Sequence, residues 1–178
     1  MTFDFSEFKN KKIIVTGSST GIGFETGVEF LNLGANVIFH GNQSINDLET
    51  RIKAKSQSQK FKIFKSDFTD LSQVNNFMNN AINYLNGLDI LVNNAGTMVG
   101  RYQLETISEK DFLKIFDLNA KSAYFATKSA CTIFKKQNYG NIINVSTISA
   151  RTGGSAGSSV YAASKAFISG ITRSLVSE

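Results

Sequence analysis

An α/β fold, a parallel sheet doubly wound by helices on both faces, is what this sequence predicts. Three observations carry that prediction. Short apolar, β-branched runs alternate with longer stretches of helical periodicity. A glycine-rich turn joins the first such run to the first helix. The fourth and fifth runs end in small or polar residues, Asn93-Asn94-Ala95-Gly96 and Ser146-Thr147-Ile148-Ser149.

The 178 residues suit one domain, spanning 1–178. At 42% hydrophobic and 19% charged, the chain can bury a real core. No apolar run approaches the ~20 residues that span a bilayer, and residues 1–12 lack a signal-peptide core. One cysteine, Cys131, excludes an internal disulfide framework and fits a reducing compartment, so the expected location is cytoplasmic. The net charge of +5 is scattered, apart from Arg51 to Lys55 and Lys60. A nucleic-acid partner would require a dense basic face with aromatic platforms, and none is expected; nor is a membrane partner or a metal site.

The first strand is Lys11 to Thr16. The turn Gly17-Ser18-Ser19-Thr20-Gly21-Ile22-Gly23 follows, and apolar spacing over Phe24 to Leu33 makes the first helix, closed by Gly34. Glycines allow close backbone approach to a phosphate, and a helix N-terminus offers free N–H groups and partial positive charge. Gly21 and Gly23 belong at that approach.

Ala35 to His40 is the second strand. Dinucleotide folds that select NAD place an acid at its end, to hold ribose hydroxyls. Here the chain reads His40-Gly41-Asn42-Gln43, and the first acid is Asp47. Without that carboxylate a 2′-phosphate is not repelled, so NADP(H) is favoured over NAD(H). No Arg or Lys stands at Thr20 or Asn42 to bind the phosphate. His40 reads as a polar strand end, not a catalyst.

Ile45 to Lys60 is an amphipathic helix running into a polar loop, and Phe61 to Ser66 is the third strand. Asp67 could accept from an adenine amine or cap the next helix, Leu71 to Leu85, for which Asp70 is better placed. Leu88 to Val92 is the fourth strand, and the amides after it can tie neighbouring strands together. Gly100 to Thr106 is a loop. Ser108 to Lys136 is one long or broken helix, in which Asn119 is read as exposed and idle. Asn141 to Val145 is the fifth strand and Ala150 to Ser159 a Gly/Ser loop.

The last helix carries Tyr161 and Lys165 at i and i+4, on one face. A phenol ordinarily titrates near pH ~10. An ammonium about 4 Å away favours its ionised form by roughly 4 kcal/mol at an effective dielectric near 20. Such a pair makes a working proton donor beside a substrate and a hydride source.

Taken together, Thr16 to Gly23, Asn93-Asn94-Ala95-Gly96, Asn119 and Tyr161-Ala162-Ala163-Ser164-Lys165 resemble the short-chain dehydrogenase/reductase family. The order and separation match along nearly the whole chain. The glycine spacing matches its classical branch, not the extended branch that holds sugar epimerases. Within the family the chain is most similar to 3-oxoacyl-acyl-carrier-protein reductases.

The resemblance implies a Rossmann-type fold and a set of roles. Gly17, Gly21, Ile22 and Gly23 form the pyrophosphate turn. Ser18 and Asn42 lie near the adenosine ribose or its phosphate, Asp67 near adenine, and Asn93, Ala95 and Gly96 along the cofactor. Tyr161 donates the proton, Lys165 lowers its pKa and holds the nicotinamide ribose, and Asn119 positions a water. The substrate-orienting hydroxyl falls on Thr147, with Ser146 and Ser149 as neighbours. The implied partners are a small carbonyl or alcohol, or an acyl-carrier thioester. Relatives pair through two long helices into dimers or tetramers.

The chain reaches Glu178 with five strands, whereas this fold needs a sixth, so a C-terminally truncated product is expected. The competing reading is therefore a non-catalytic remnant that binds cofactor or a partner.

Overall fold

A computed structural model describes residues 4–43 and 45–177. Readings that fall on Met1 to Phe3 and on Glu178 lie outside the described residues. The order is β1 (Lys12–Val15), α1 (Gly21–Asn32), β2 (Asn36–Gly41), α2 (Leu48–Lys55), β3 (Phe61–Lys65), α3 (Leu71–Leu85), β4 (Ile90–Asn93), α4 (Glu109–Phe116), a π-helical turn (Asp117–Lys121), α5 (Ser122–Gln137), β5 (Asn141–Asn144), α6 (Ser149–Thr152) and α7 (Ser159–Ser174).

All strand pairings are parallel, in the order β3-β2-β1-β4-β5. The order reverses between β1 and β4. In open α/β sheets the crevice beyond the strands' carboxyl ends at that point receives ligands.

Alternation along each strand builds two cores. Ile14, Ile38 and Leu91 face α3 and α5, against Val74, Phe77, Met78, Ala81, Ala126 and Ala130. Ile13, Val15, Val37, Phe39, Ile90 and Val92 face α1 and α2, against Phe24, Val28, Leu31, Leu48 and Ile52. Each fully buried side chain of this size contributes about 1.5–3 kcal/mol of transfer free energy.

Local chemistry sets most ends as expected. Asp70 caps α3 by accepting from the Ser72 N–H at 2.8 Å. Asn86 closes it in the left-handed region, at φ 53°. The helix read from Ser108 to Lys136 is broken: Ser108 caps α4, and the π turn separates α4 from α5. The stretch after β5, read as loop, contains the short α6. Among the described residues no helix is long and apolar enough to cross a membrane.

Candidate active site

The glycine turn lies between β1 and α1, at the switch point. Gly17 takes φ +61°, and a Cβ there would stand 2.6 Å from the Ala95 Cα. A side chain at Gly23 would strike the Asn94 amide and, at 2.6 Å, the Gly17 carbonyl. These two glycines pack the turn onto the end of β4. Gly21, at φ +58°, has nothing within 4 Å of where its Cβ would be. It therefore borders open space.

The end of β4 locks this turn. Asn94 Nδ2 donates to the carbonyls of Thr16 and Gly17, each at 2.9 Å. Thr16 Oγ1 accepts from the N–H groups of Asn94 and Ala95, both at 3.0 Å. Asn93 turns the other way: its Nδ2 donates to Thr127 Oγ1 at 2.9 Å and Asn144 Oδ1 at 2.8 Å. Asn144 in turn donates to Thr172 of α7. The tie between strands expected of these amides is present.

Helix α1 begins without a side-chain cap, because the Thr20 hydroxyl accepts from none of its first N–H groups. Those donors, the open face at Gly21 and the exposed Ile22 beside it fit an anionic, flat-edged ligand such as a dinucleotide.

The second half of the site forms around Gly96. A Cβ there would stand 2.6 Å from Asn119 Oδ1 and 2.8 Å from Lys165 Nζ. So the amide and the ammonium converge on one glycine, 23 and 69 residues away in sequence respectively. Asn119 is fully buried, which corrects the reading of an idle, exposed residue. Its Oδ1 accepts from the Thr97 N–H at 2.8 Å and its Nδ2 donates to the Thr97 carbonyl at 2.9 Å. The π turn that carries Asn119 is the physical reason: an extra residue in the turn re-aims the side chain inward.

Lys165 is 4% exposed, and its Nζ donates to the Val145 carbonyl at 3.1 Å. Burial disfavours the charged form and lowers its pKa from the usual lysine value. Tyr161 stands one turn earlier on α7, half-buried, on the face that carries Lys165. Among the three candidate hydroxyls, Ser146 is turned onto α7, donating to the Lys165 carbonyl at 3.2 Å and facing Ser169 Oγ at 3.1 Å. Thr147 is half-buried in the turn after β5, accepting only a long bond from the Ser149 N–H at 3.3 Å.

Residues 11–178 match the family model described as short chain dehydrogenase. The chain belongs to the short-chain dehydrogenase family. It is 32% identical over 166 residues to the hydroxynaphthalene reductase-like protein Arp2 of Metarhizium acridum, covering 92% of this chain and 61% of that protein. The chain thus spans about three fifths of that relative's length. A solved structure of NADH-dependent reductase A1-R′ complexed with NAD superposes with TM-score 0.89 and 32% identity, over 98% of this chain and 75% of that one. A short chain dehydrogenase from Burkholderia cenocepacia in complex with NADP gives TM-score 0.85 and 28% identity, over 94% and 68%.

Most candidate residues of the short-chain dehydrogenase motifs gather at the two halves of the site: Gly17, Gly21, Ile22, Gly23 and Ala95 at the turn, and Asn119 and Lys165 around Gly96, with Tyr161 one turn before Lys165 on α7 and Thr147 in the turn after β5. The Ser18 hydroxyl does not join them. It is fully buried, donating to the Val15 carbonyl at 2.6 Å and accepting from the His40 N–H at 2.8 Å. It ties β1 to β2 instead. Asn42 is exposed beyond β2. Asp67 accepts from the Thr69 N–H and hydroxyl, at 2.9 and 2.8 Å, which holds its own turn.

Two contributors were missed from sequence. His40 is buried and accepts from the Gly17 N–H. Ser19 packs against Gly41: a Cβ at Gly41 would be 2.8 Å from the Ser19 Cβ. Only the small residue at Gly41 hinted at the last of these contacts.

Proposed function

We propose that the chain interconverts a carbonyl compound and a secondary alcohol with NADP(H), Tyr161 acting as the proton donor in reduction. The observation that carries this reading is the convergence of Lys165 Nζ and Asn119 Oδ1 on Gly96, with Tyr161 one turn away. A bound nicotinamide supplies or accepts the hydride. The glycine turn and the first N–H groups of α1 bind the pyrophosphate, and Gly96 lets the cofactor approach the two polar groups. Lys165 holds the nicotinamide ribose. Thr147 donates to the developing alkoxide, since Ser146 is engaged elsewhere. Asn119 keeps one lone pair of Oδ1 for a water in the proton relay.

The absence of an acid at the end of β2 supports NADP(H), and the crowding at Gly41 supports it further. A carboxylate side chain at that position would collide with Ser19 and Ile45. The substrate class proposed is a small ketone, with 3-oxoacyl thioesters among the candidates. We also propose pairing of two copies through α5 and α7, where Tyr124 and Phe167 present half-exposed rings 6.2 Å apart. A cytoplasmic location is proposed on the cysteine usage, a single residue, Cys131, in 178.

The test is NADPH oxidation by the purified chain across a panel of ketones and β-ketoacyl thioesters. Turnover near ~1 s⁻¹ or above is expected. A folded chain that binds NADPH yet turns over nothing would favour the cofactor-binding, non-catalytic reading instead.

A further inference from the structure

We propose that Arg51 is a ligand of the 2′-phosphate of NADP(H), reaching from α2 to the side of the glycine turn. The inference rests on the NADP(H) reading above. Thr20 and Asn42 are not basic, so a cation at this position must come from elsewhere in the chain.

Arg51 Nη1 donates to the Ser19 carbonyl at 3.0 Å. Its guanidinium carbon lies 4.5 Å from the centroid of the Phe24 ring, in the first turn of α1. The side chain is thus fastened at once to the glycine turn and to the helix that the turn opens. Ser19 itself stands against Gly41, where an added Cβ would be 3.0 Å from the Ser19 hydroxyl oxygen. Arg51, Ser19, Gly41 and the adjoining Asn42 therefore share one neighbourhood, at the carboxyl ends of β1 and β2. In a dinucleotide fold the adenosine ribose hydroxyls lie there.

Charge distinguishes Arg51 from the other cations of α2. Lys53 is paired with Glu49 at 2.5 Å and Lys55 with Glu25 at 2.6 Å. Arg51 has Asp47 only at 3.9 Å, and that carboxylate is 66% exposed. So long and wet a pair holds weakly. The Ser19 carbonyl occupies one of five guanidinium N–H donors, and the planar fork suits a phosphate monoester. A guanidinium already held by a ring and a carbonyl loses little freedom on receiving the anion.

The test is binding of NADPH and of NADH to the full 178-residue chain and to Arg51→Gln, followed by calorimetry or cofactor fluorescence without substrate. The expected result is that the native chain binds NADPH more tightly than NADH. Arg51→Gln then weakens NADPH by about tenfold or more and leaves NADH unchanged. Arg51→Lys, which keeps charge without the fork, falls between. Equal weakening of both cofactors would mean that Arg51 merely braces Ser19 and Phe24, and no weakening of either would mean it is idle; each overturns the inference while the NADP(H) reading stands. A native chain that prefers NADH removes the NADP(H) reading itself, and this inference with it.

Discussion

The Gly17 N–H donates to Nδ1 of His40 across 2.9 Å, joining the phosphate turn to the end of the neighbouring strand. Nδ1 must therefore be the unprotonated nitrogen, and Nε2–H donates to the Ser66 carbonyl at 3.0 Å. The ring is stacked on Phe68 at 3.9 Å and is buried. Burial pushes its pKa down to about 4, opposed by the Ser66 carbonyl and by Asp67.

The pH dependence follows from that shift. Between pH ~6.5 and about 4 the unfolded histidine binds a proton and the folded one does not. Stability from this group is complete above ~6.5 and declines as pH falls toward about 4, by about 3 kcal/mol in all. Urea unfolding of the native chain and His40→Gln at pH 7.5 and 4.5 checks it. The native chain should lose more stability on acidification than the variant; equal losses contradict the assignment.

Gly41→Asp, the direct way to install an NAD-selecting acid, should fail. A Cβ at Gly41 meets Ile45 Cγ2 and Ser19 Cβ, both at 2.8 Å. Overpacking of this kind costs about 1–3 kcal/mol. Thermal unfolding should show the loss, together with weaker binding of both cofactors. A variant of native stability that simply gains NADH affinity would show that the two loops yield freely.

Asn119→Ala should disturb structure as well as turnover. It removes both hydrogen bonds to Thr97 and strands a backbone N–H and carbonyl beside Gly96. A loss of about 1–3 kcal/mol is expected, with faster amide exchange at Thr97. Unchanged exchange would mean that water replaces the amide at no penalty.

Lys165→Met should stabilise the cofactor-free chain while removing activity, since a buried ammonium is held at a desolvation penalty. The sign of the linkage follows: the folded pKa lies below the unfolded value near ~10.4. Native stability from this group therefore rises with pH once the folded pKa is passed. The variant lacks that rise, and unfolding scans from pH 7 to 10 would reveal it.

How much of this was legible in the sequence depended on the range of the interactions. The strands, the glycine turn and the Asp70 cap follow from periodicity and local hydrogen bonding within a few residues. The two halves of the site were legible as motifs, because Gly17, Gly96 and Lys165 sit at fixed places in their elements. The burial of Asn119 was hidden from periodicity, though the family motif marked the position, because a single π turn inside an otherwise helical stretch leaves no mark on apolar spacing. His40 and Arg51 were illegible for another reason. Each acts on the turn from 23 or 32 residues away, and only the parallel pairing of β1 with β2 brings them there. The inward aim of the Ser18 hydroxyl was hidden likewise, since its acceptor and donor lie on two different strands.

Replacing one oxygen at the phenol separates chemistry from binding most directly. In Tyr161→Phe, NADPH affinity should stay at the native value while carbonyl reduction drops by about 10²–10⁴-fold, the usual contribution of a positioned acid. Reduction at the native rate in that variant would take the proton donor away from α7, and the role given to Lys165 would go with it.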